Sequence, residues 1–282
     1  MRIVRTIAQL RKEVAGARAR GSEVGMVPTM GALHDGHLSL VHAARADQGF
    51  VVMSIFVNPT QFTEAEDLEA YPRQEASDAA LAEAAGVDVI FAPTAAEMYP
   101  EGFATTVHVG GSITERLEGE TRGAAHFDGV ATVVSKLLLA CMPDRAYFGE
   151  KDAQQVLVVS RMVRDLGIPV RIVPCPTSRD EDGLARSSRN ARLSEGERAR
   201  ALAIPRALGA AAAALASGEC EAEAIREAAG RELAAEDLVA EYLAIVDPDT
   251  LDAVERVDAP ALLAIAVRVG EVRLIDNAVL TP

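Results

Sequence analysis

Cations are scarce in this chain: 28 Lys and Arg stand against 42 Asp and Glu, a formal charge of −14. That balance excludes a non-specific hold on nucleic acid or on an anionic membrane, since both need surplus positive charge. Cysteine is scarce too. Cys141, Cys175 and Cys220 are scattered, with no CxxC pair and no metal-ligand spacing. They read as ordinary reduced thiols, which suits a cytoplasmic enzyme. No run of about 18 uninterrupted apolar residues occurs, so no membrane span is expected. The start Met1-Arg2-Ile3-Val4-Arg5 lacks the long apolar core that a signal peptide would need. No internal repeat is present.

What the chain does have is length and apolar content. With 282 residues and 49% apolar side chains it can bury a sizeable core in one large or two ordinary domains. Up to about Cys175, β-type runs alternate with helical ones. Strands are expected at 23–27, at Phe50–Val57, where an almost unbroken apolar run suits burial on both faces, at 87–92, at 145–148 and at 170–173. Helices are expected at 38–44, 76–85, 129–142 and 152–166, with Gly86 and Gly167 placed to end two of them. Such alternation predicts an α/β fold, a doubly wound parallel sheet. Composition shifts after Pro174-Cys175-Pro176. A charged loop at 177–190 leads to helical stretches at 195–216 and 219–235, then strands at 241–246, 262–269 and 271–275, with Gly270 in a hairpin. Residues 1–176 therefore read as the first domain and 177–282 as a second, smaller α+β domain.

The chemistry centres on His34-Asp35-Gly36-His37, entered through Pro28-Thr29-Met30-Gly31-Ala32-Leu33. A strand, a Gly-containing turn and a helix start form a ready anion site, because unpaired amides and the helix dipole both favour negative charge. Two imidazoles at i and i+3 would face the same anion. Spacing alone leaves phosphate binding level with a pair of surface or capping histidines. Zinc is disfavoured, because HExxH and an obvious third ligand are both missing. Asn58-Pro59-Thr60-Gln61-Phe62 follows the buried strand, where ligands bind in open parallel sheets, although a plain Asn-Pro turn also explains it. Phe148-Gly149-Glu150-Lys151-Asp152 follows another strand. Lys151 at a helix start runs against the dipole, as a cation placed for a ligand would, or as an exposed lysine would. Asp182-Gly183-Leu184-Ala185-Arg186-Ser187-Ser188-Arg189-Asn190 at the domain junction suits either a loop that closes over phosphates or a solvated linker.

Taken together these pieces resemble the pantothenate synthetase (pantoate–β-alanine ligase) family. Pro28 to Leu40, Ser54 to Phe62, Tyr71-Pro72-Arg73, His126-Phe127-Asp128-Gly129-Val130, Phe148 to Asp152 and Ser187 to Asn190 occur in that family's order. The first domain and the linker carry the resemblance densely; the C-terminal domain carries it only in length and general character.

The resemblance implies a Rossmann-like adenylate-forming enzyme with an HxGH signature. ATP and pantoate would give pantoyl adenylate and pyrophosphate, and β-alanine would then give pantothenate and AMP. It implies that His34, His37, Lys151 and Arg189 act on the ATP phosphates as a two-part cation clamp. Met30, Gly149, Asp152, Ser187 and Ser188 would complete the ATP site. Gln61 and Gln155 would hold pantoate, Asn58 and Tyr71 would lie on the β-alanine side, and Asp78 would help a hydrated Mg²⁺. A homodimer is implied as well. Arg186 departs from the family's usual Met, either adding a cation to the loop or pointing into solvent, and Ala153 stands where an aromatic is common. The rival readings are a same-fold nucleotidyltransferase with another acceptor, such as a phosphopantetheine adenylyltransferase-like enzyme, and a catalytically dead ATP-binding or scaffold protein.

Overall fold

A computed structural model describes residues 1–62 and 65–282. Six parallel strands form one sheet: β1 (Arg2–Val4), β2 (Val24–Thr29), β3 (Phe50–Ile55), β4 (Val89–Phe91), β5 (Arg145–Gly149) and β6 (Arg171–Cys175). Their order is β1-β4-β3-β2-β5-β6. The chain lays β3 and β4 outward from β2, then returns to place β5 and β6 on the other side. That reversal between β2 and β5 is where open α/β sheets leave a crevice beyond their carboxyl ends. Between the strands run α1 (Ile7–Ala19), α2 (Asp35–Asp47), α3 (Ala65–Ala70), α4 (Glu75–Ala84), α5 (Ala95–Met98), α6 (Ser112–Glu115), α7 (Glu118–Arg122), α8 (Ala124–Cys141) and α9 (Ala153–Asp165). β3 is buried over its first five residues because helices cover both faces, which is why its sequence shows no alternation.

The chain divides into two compact units, 1–149 with 154–176, and 150–153 with 177–282. The second contains α10 (Glu195–Ala201), α11 (Ala203–Ala216) and α12 (Ala222–Ala234), with an antiparallel sheet of β7 (Ala240–Val246), β8 (Ala261–Val269) and β9 (Val272–Leu280). β8 lies in the middle, and all but Arg268 of it is buried. Its core gathers Ile204, Leu208, Ile225, Leu263, Ile265 and Val267. Gly270 takes a left-handed φ of 58° in the β8–β9 hairpin.

Several boundaries differ from expectation for identifiable reasons. β1 has only Val4 buried, so its three residues carry no periodic signal. The helix expected over 195–216 is two helices meeting at Leu202. Pro205 in the first turn of α11 lacks an amide hydrogen and clashes with a continuous preceding turn, so the helix restarts there. α8 begins at Ala124, which puts His126 and Phe127 inside the helix. Two helical stretches, Ala124–Cys141 and Glu195–Ala216, are long and apolar enough to cross a membrane. α8 instead buries Phe127, Val130, Val134, Leu137 and Leu138, and α11 buries Ile204, Leu208 and Leu215.

Candidate active site

The loop from β2 to α2 is wound tightly. Gly31 has φ 88° and Ala32 φ 51°, the second a left-handed conformation that costs a residue with a Cβ about 1 kcal/mol. Hydrogen bonds offset that cost. Thr29 Oγ1 donates to Ser54 O at 2.6 Å and accepts the Gly31 amide at 3.2 Å. Asp78, on α4, accepts the Ala32 amide on Oδ2 at 3.0 Å and the Leu33 amide on Oδ1 at 2.8 Å. The turn amides expected to cradle a phosphate are therefore taken up by the loop's own side chains and by Asp78.

The two histidines cap their own helix. His34 Nδ1 accepts the Gly36 amide at 3.1 Å, and His37 Nδ1 accepts the His34 amide at 3.4 Å. The rings lie 4.1 Å apart at 44°. A nitrogen that accepts carries no proton, so each ring is the tautomer with hydrogen on Nε2. Capping and ligand binding are compatible here, because capping uses Nδ1 and aims an Nε2–H donor the other way.

Asp78, expected to help a hydrated Mg²⁺, is committed to the loop's backbone. It is 1% exposed, and both oxygens already hold backbone amides. Among the described residues no group of three His, Cys, Asp or Glu is arranged to hold a metal.

Beyond β3, Asn58 is buried and saturated. Its Nδ2 donates to Gln61 Oε1 at 3.0 Å and to Gly129 O at 3.2 Å. Its Oδ1 accepts from Tyr99 OH at 2.7 Å and from Thr60 Oγ1 at 3.0 Å. Burial raises the pKa of Tyr99, which keeps that hydroxyl a donor. Asn58 thus organises the turn, and a β-alanine contact through its amide would have to displace one of these bonds. Gln61 is the half-buried residue it orients: Oε1 is held by Asn58, and Nε2 points as a donor toward Met30 Sδ at 3.2 Å. His126 Nδ1 lies 2.8 Å from Gln61 O. Gly129 permits this approach, since a Cβ there would fall on the Thr60 carbonyl and the Gln61 amide nitrogen. Tyr71 packs edge-on against Phe62 at 5.8 Å.

Gln155 is half-buried on α9, whereas its neighbour Gln154 is buried. Gln154 accepts the Glu118 amide at 3.1 Å and donates to Ile113 O at 3.0 Å and Arg116 O at 2.8 Å. Nothing in the sequence separates these two adjacent glutamines.

In the second unit, Glu150–Asp152 form one 3₁₀ turn, with Lys151 half-buried and Asp152 exposed. Gly149, which precedes it, has open space where a Cβ would stand. Ser187 caps a second 3₁₀ turn, its Oγ accepting the Arg189 amide at 3.2 Å, while Ser188 and Arg189 are exposed. Arg186 takes neither expected course. Its Nε donates to Arg179 O at 3.1 Å and pairs with Asp180 at 3.2 Å, so it closes the base of the loop. Lys151 therefore belongs to the same compact unit as Ser187–Arg189, although residues 154–176 of the first unit lie between them in sequence.

Comparison with known proteins agrees with these features. A family model described as pantoate-beta-alanine ligase matches residues 2–279. The chain is 53% identical to a pantothenate synthetase of Rhizorhabdus wittichii, covering 100% of this chain and 99% of that one. A Moorella thermoacetica pantothenate synthetase is 52% identical, with 99% of each chain covered. Among solved structures, a Thermus thermophilus pantothenate synthetase superposes with a TM-score of 0.94 at 50% identity over 100% of both chains. A Francisella tularensis pantoate-beta-alanine ligase, complexed with beta-gamma ATP and beta-alanine, gives 0.79 at 33% identity, covering 99% of this chain and 97% of that one.

Proposed function

The chain belongs to the pantoate–β-alanine ligase family, and we infer from that membership how its residues join pantoate to β-alanine at the cost of ATP. In the first step a pantoate carboxylate oxygen attacks the α-phosphorus of ATP. The bond from that phosphorus to the β-phosphate oxygen breaks, and pyrophosphate leaves. In the second step the β-alanine amine attacks the acyl carbon, the acyl C–O bond breaks, AMP leaves and the nitrogen gives up a proton. No side-chain nucleophile is needed; the protein supplies position and charge.

The orientation of the two histidines carries the assignment. Their Nε2–H donors stand at the carboxyl end of β2, in the same loop as Met30, and suit phosphate oxygens on ATP. Lys151, Ser187, Ser188 and Arg189 supply further donors and positive charge to the β- and γ-phosphates, with Gly149 and Asp152 beside the nucleotide. Gln61, whose Nε2 is held as a donor by Asn58, fits the pantoate oxygens without repelling the anion, and Gln155 is assigned beside it. Tyr71 remains the candidate on the β-alanine side, with Asn58 behind Gln61 as its support. Mg²⁺ enters with ATP as part of the substrate, ligated mainly by phosphate and water. Residues 177–282 act as a lid domain that shields the acyl adenylate from water. We assign the enzyme to the cytoplasm, as a homodimer, in keeping with its three free thiols and its family.

The test is to incubate the enzyme with Mg-ATP, pantoate and β-alanine and to follow AMP. AMP that requires both acids supports the ligase. AMP-transfer to a different acceptor, or no nucleotide turnover, would overturn it.

A further inference from the structure

We propose that Asp276 and Asn277, adjacent on β9, are positioning residues that hold the two phosphate-facing segments of the second unit to one rigid strand. The proposal rests on reading Lys151 and Ser187–Arg189 as phosphate contacts.

Asn277 Nδ2 donates to the carbonyls of both Glu150, at 2.8 Å, and Lys151, at 2.9 Å. An amide nitrogen has two hydrogens, and here each has its own acceptor. Pinning two consecutive carbonyls fixes the two peptide planes that flank the Lys151 Cα, and so fixes the direction in which the Lys151 side chain leaves the backbone. The Asn277 amide hydrogen in turn bonds to Asp276 Oδ1 at 2.8 Å.

Asp276 faces the other side of the strand, as alternate strand residues must. It is 3% exposed and grips Arg179 through both oxygens, Oδ2 at 2.6 Å and Oδ1 at 3.0 Å. Arg179 also donates to Gly183 O at 3.1 Å and pairs with Ala185 in an isolated antiparallel bridge. Arg186 donates its backbone amide to Ser178 O at 2.9 Å, and Arg198 reaches both Asp180 and Asp182 at 2.8 Å. Asn190 Nδ2 closes the far side on Ala185 O at 3.0 Å. Ser187 therefore departs from a loop whose base is fixed on both flanks. A buried ion pair adds little net stability over an apolar pair of the same size, so what this one contributes is geometry.

β9 is a suitable anchor because it pairs with β8 in unbroken register from Val272 to Leu280, with Asp276 opposite Ile265 and Asn277 opposite Ala264. Lys151 and Ser187, far apart in sequence, are thereby referred to two neighbouring residues on one strand. A shift of about 1 Å at a reacting contact is enough to lower a rate a hundredfold, so anchorage at this point bears directly on catalysis.

The experiment is a double-mutant cycle on the whole enzyme: Asn277→Ala, Lys151→Ala and the pair, each with kcat, the KM of all three substrates and the thermal midpoint. Asn277→Ala is expected to lower kcat roughly ten- to a hundredfold with the pantoate KM unchanged. In the Lys151→Ala background the same change is expected to add nothing, since the group it positions is gone. Asn277→Ser, which keeps one donor, should recover part of the loss. An undiminished kcat in Asn277→Ala, or an equal loss in both backgrounds, overturns the proposal. An unchanged kcat in Lys151→Ala would instead remove the phosphate assignment on which it rests.

Discussion

Asp78 accepts the Leu33 amide at 2.8 Å from a carboxylate that is 1% exposed, and this bond with its twin to Ala32 sets the shape of the loop that carries His34. The carboxylate is part of the backbone's hydrogen bonding. Asp78→Asn turns one acceptor into a donor facing an N–H. The expected cost is about 1–3 kcal/mol of stability, with a raised KM for ATP. The Mg²⁺ concentration at half-maximal rate should stay where it is. A shift in that midpoint at constant ATP saturation would give Asp78 a role toward the metal.

The imidazole assignment predicts an order among substitutions. His37→Gln keeps an N–H near the Nε2 position, whereas His37→Ala removes it. The alanine variant should lose about 10²–10³ in kcat, as when one oxyanion donor is deleted, and the glutamine variant distinctly less. Steady-state rates at saturating ATP check this. Equal losses would mean that the ring acts by charge or by packing.

Gly129 has no room for a side chain against the Thr60 carbonyl and the Gln61 amide. Gly129→Ala must push α8 away from the turn that carries Asn58 and Gln61, at about 1–3 kcal/mol. The pantoate KM should rise while the ATP KM holds. A rise in both, or in neither, would separate Gln61 from pantoate.

Arg179 is the partner of a buried carboxylate. Arg179→Met leaves Asp276 charged and uncompensated, an expected loss of about 3–5 kcal/mol by denaturant unfolding. Arg179→Met combined with Asp276→Leu should recover most of it. Failure of the second change to rescue would show that the pair matters for more than its own charge balance.

Alkaline stability follows from Cys141, whose thiol is pushed up to about 12 by burial. Unfolding restores an ordinary thiol near about 8.5, so above that pH the unfolded chain loses a proton that the folded chain keeps. The contribution is fully present below about 8.5 and is lost as pH rises toward 12, at up to about 1.4 kcal/mol per pH unit. Tyr147, also pushed up to about 12, chiefly by burial and then by Asp47, acts in the same direction. Cys141→Ala should flatten the decline between about pH 9 and 10.5 in urea titrations. Parallel profiles for the two proteins would contradict the assignment.

Much of the first unit is legible because burial on both faces writes itself into the sequence, as at Phe50–Ile55, and because glycines such as Gly86 mark helix ends. β1 is illegible for the opposite reason: two of its three residues are exposed. The HxGH spacing shows that two rings share a helix end, but which ring nitrogen faces the ligand depends on the capping bonds. A strand, a turn and a helix start suggest vacant amides, and no local pattern reveals that Asp78, 45 residues beyond Leu33, has taken them. Gln154 and Gln155 are chemically the same in sequence and differ only in which helix face carries them. Asn277 is 126 positions from Lys151, beyond the reach of any spacing argument.

The acyl adenylate is the central intermediate, and its direct measurement is oxygen transfer. Pantoate labelled with ¹⁸O in its carboxylate is turned over with Mg-ATP and β-alanine, and the nucleotide product is weighed by mass spectrometry. One carboxylate oxygen should appear in AMP, because the bond it forms to the α-phosphorus survives when β-alanine displaces the nucleotide. Unlabelled AMP, or label in inorganic phosphate with ADP as the product, would contradict attack at the α-phosphorus and with it the assigned mechanism.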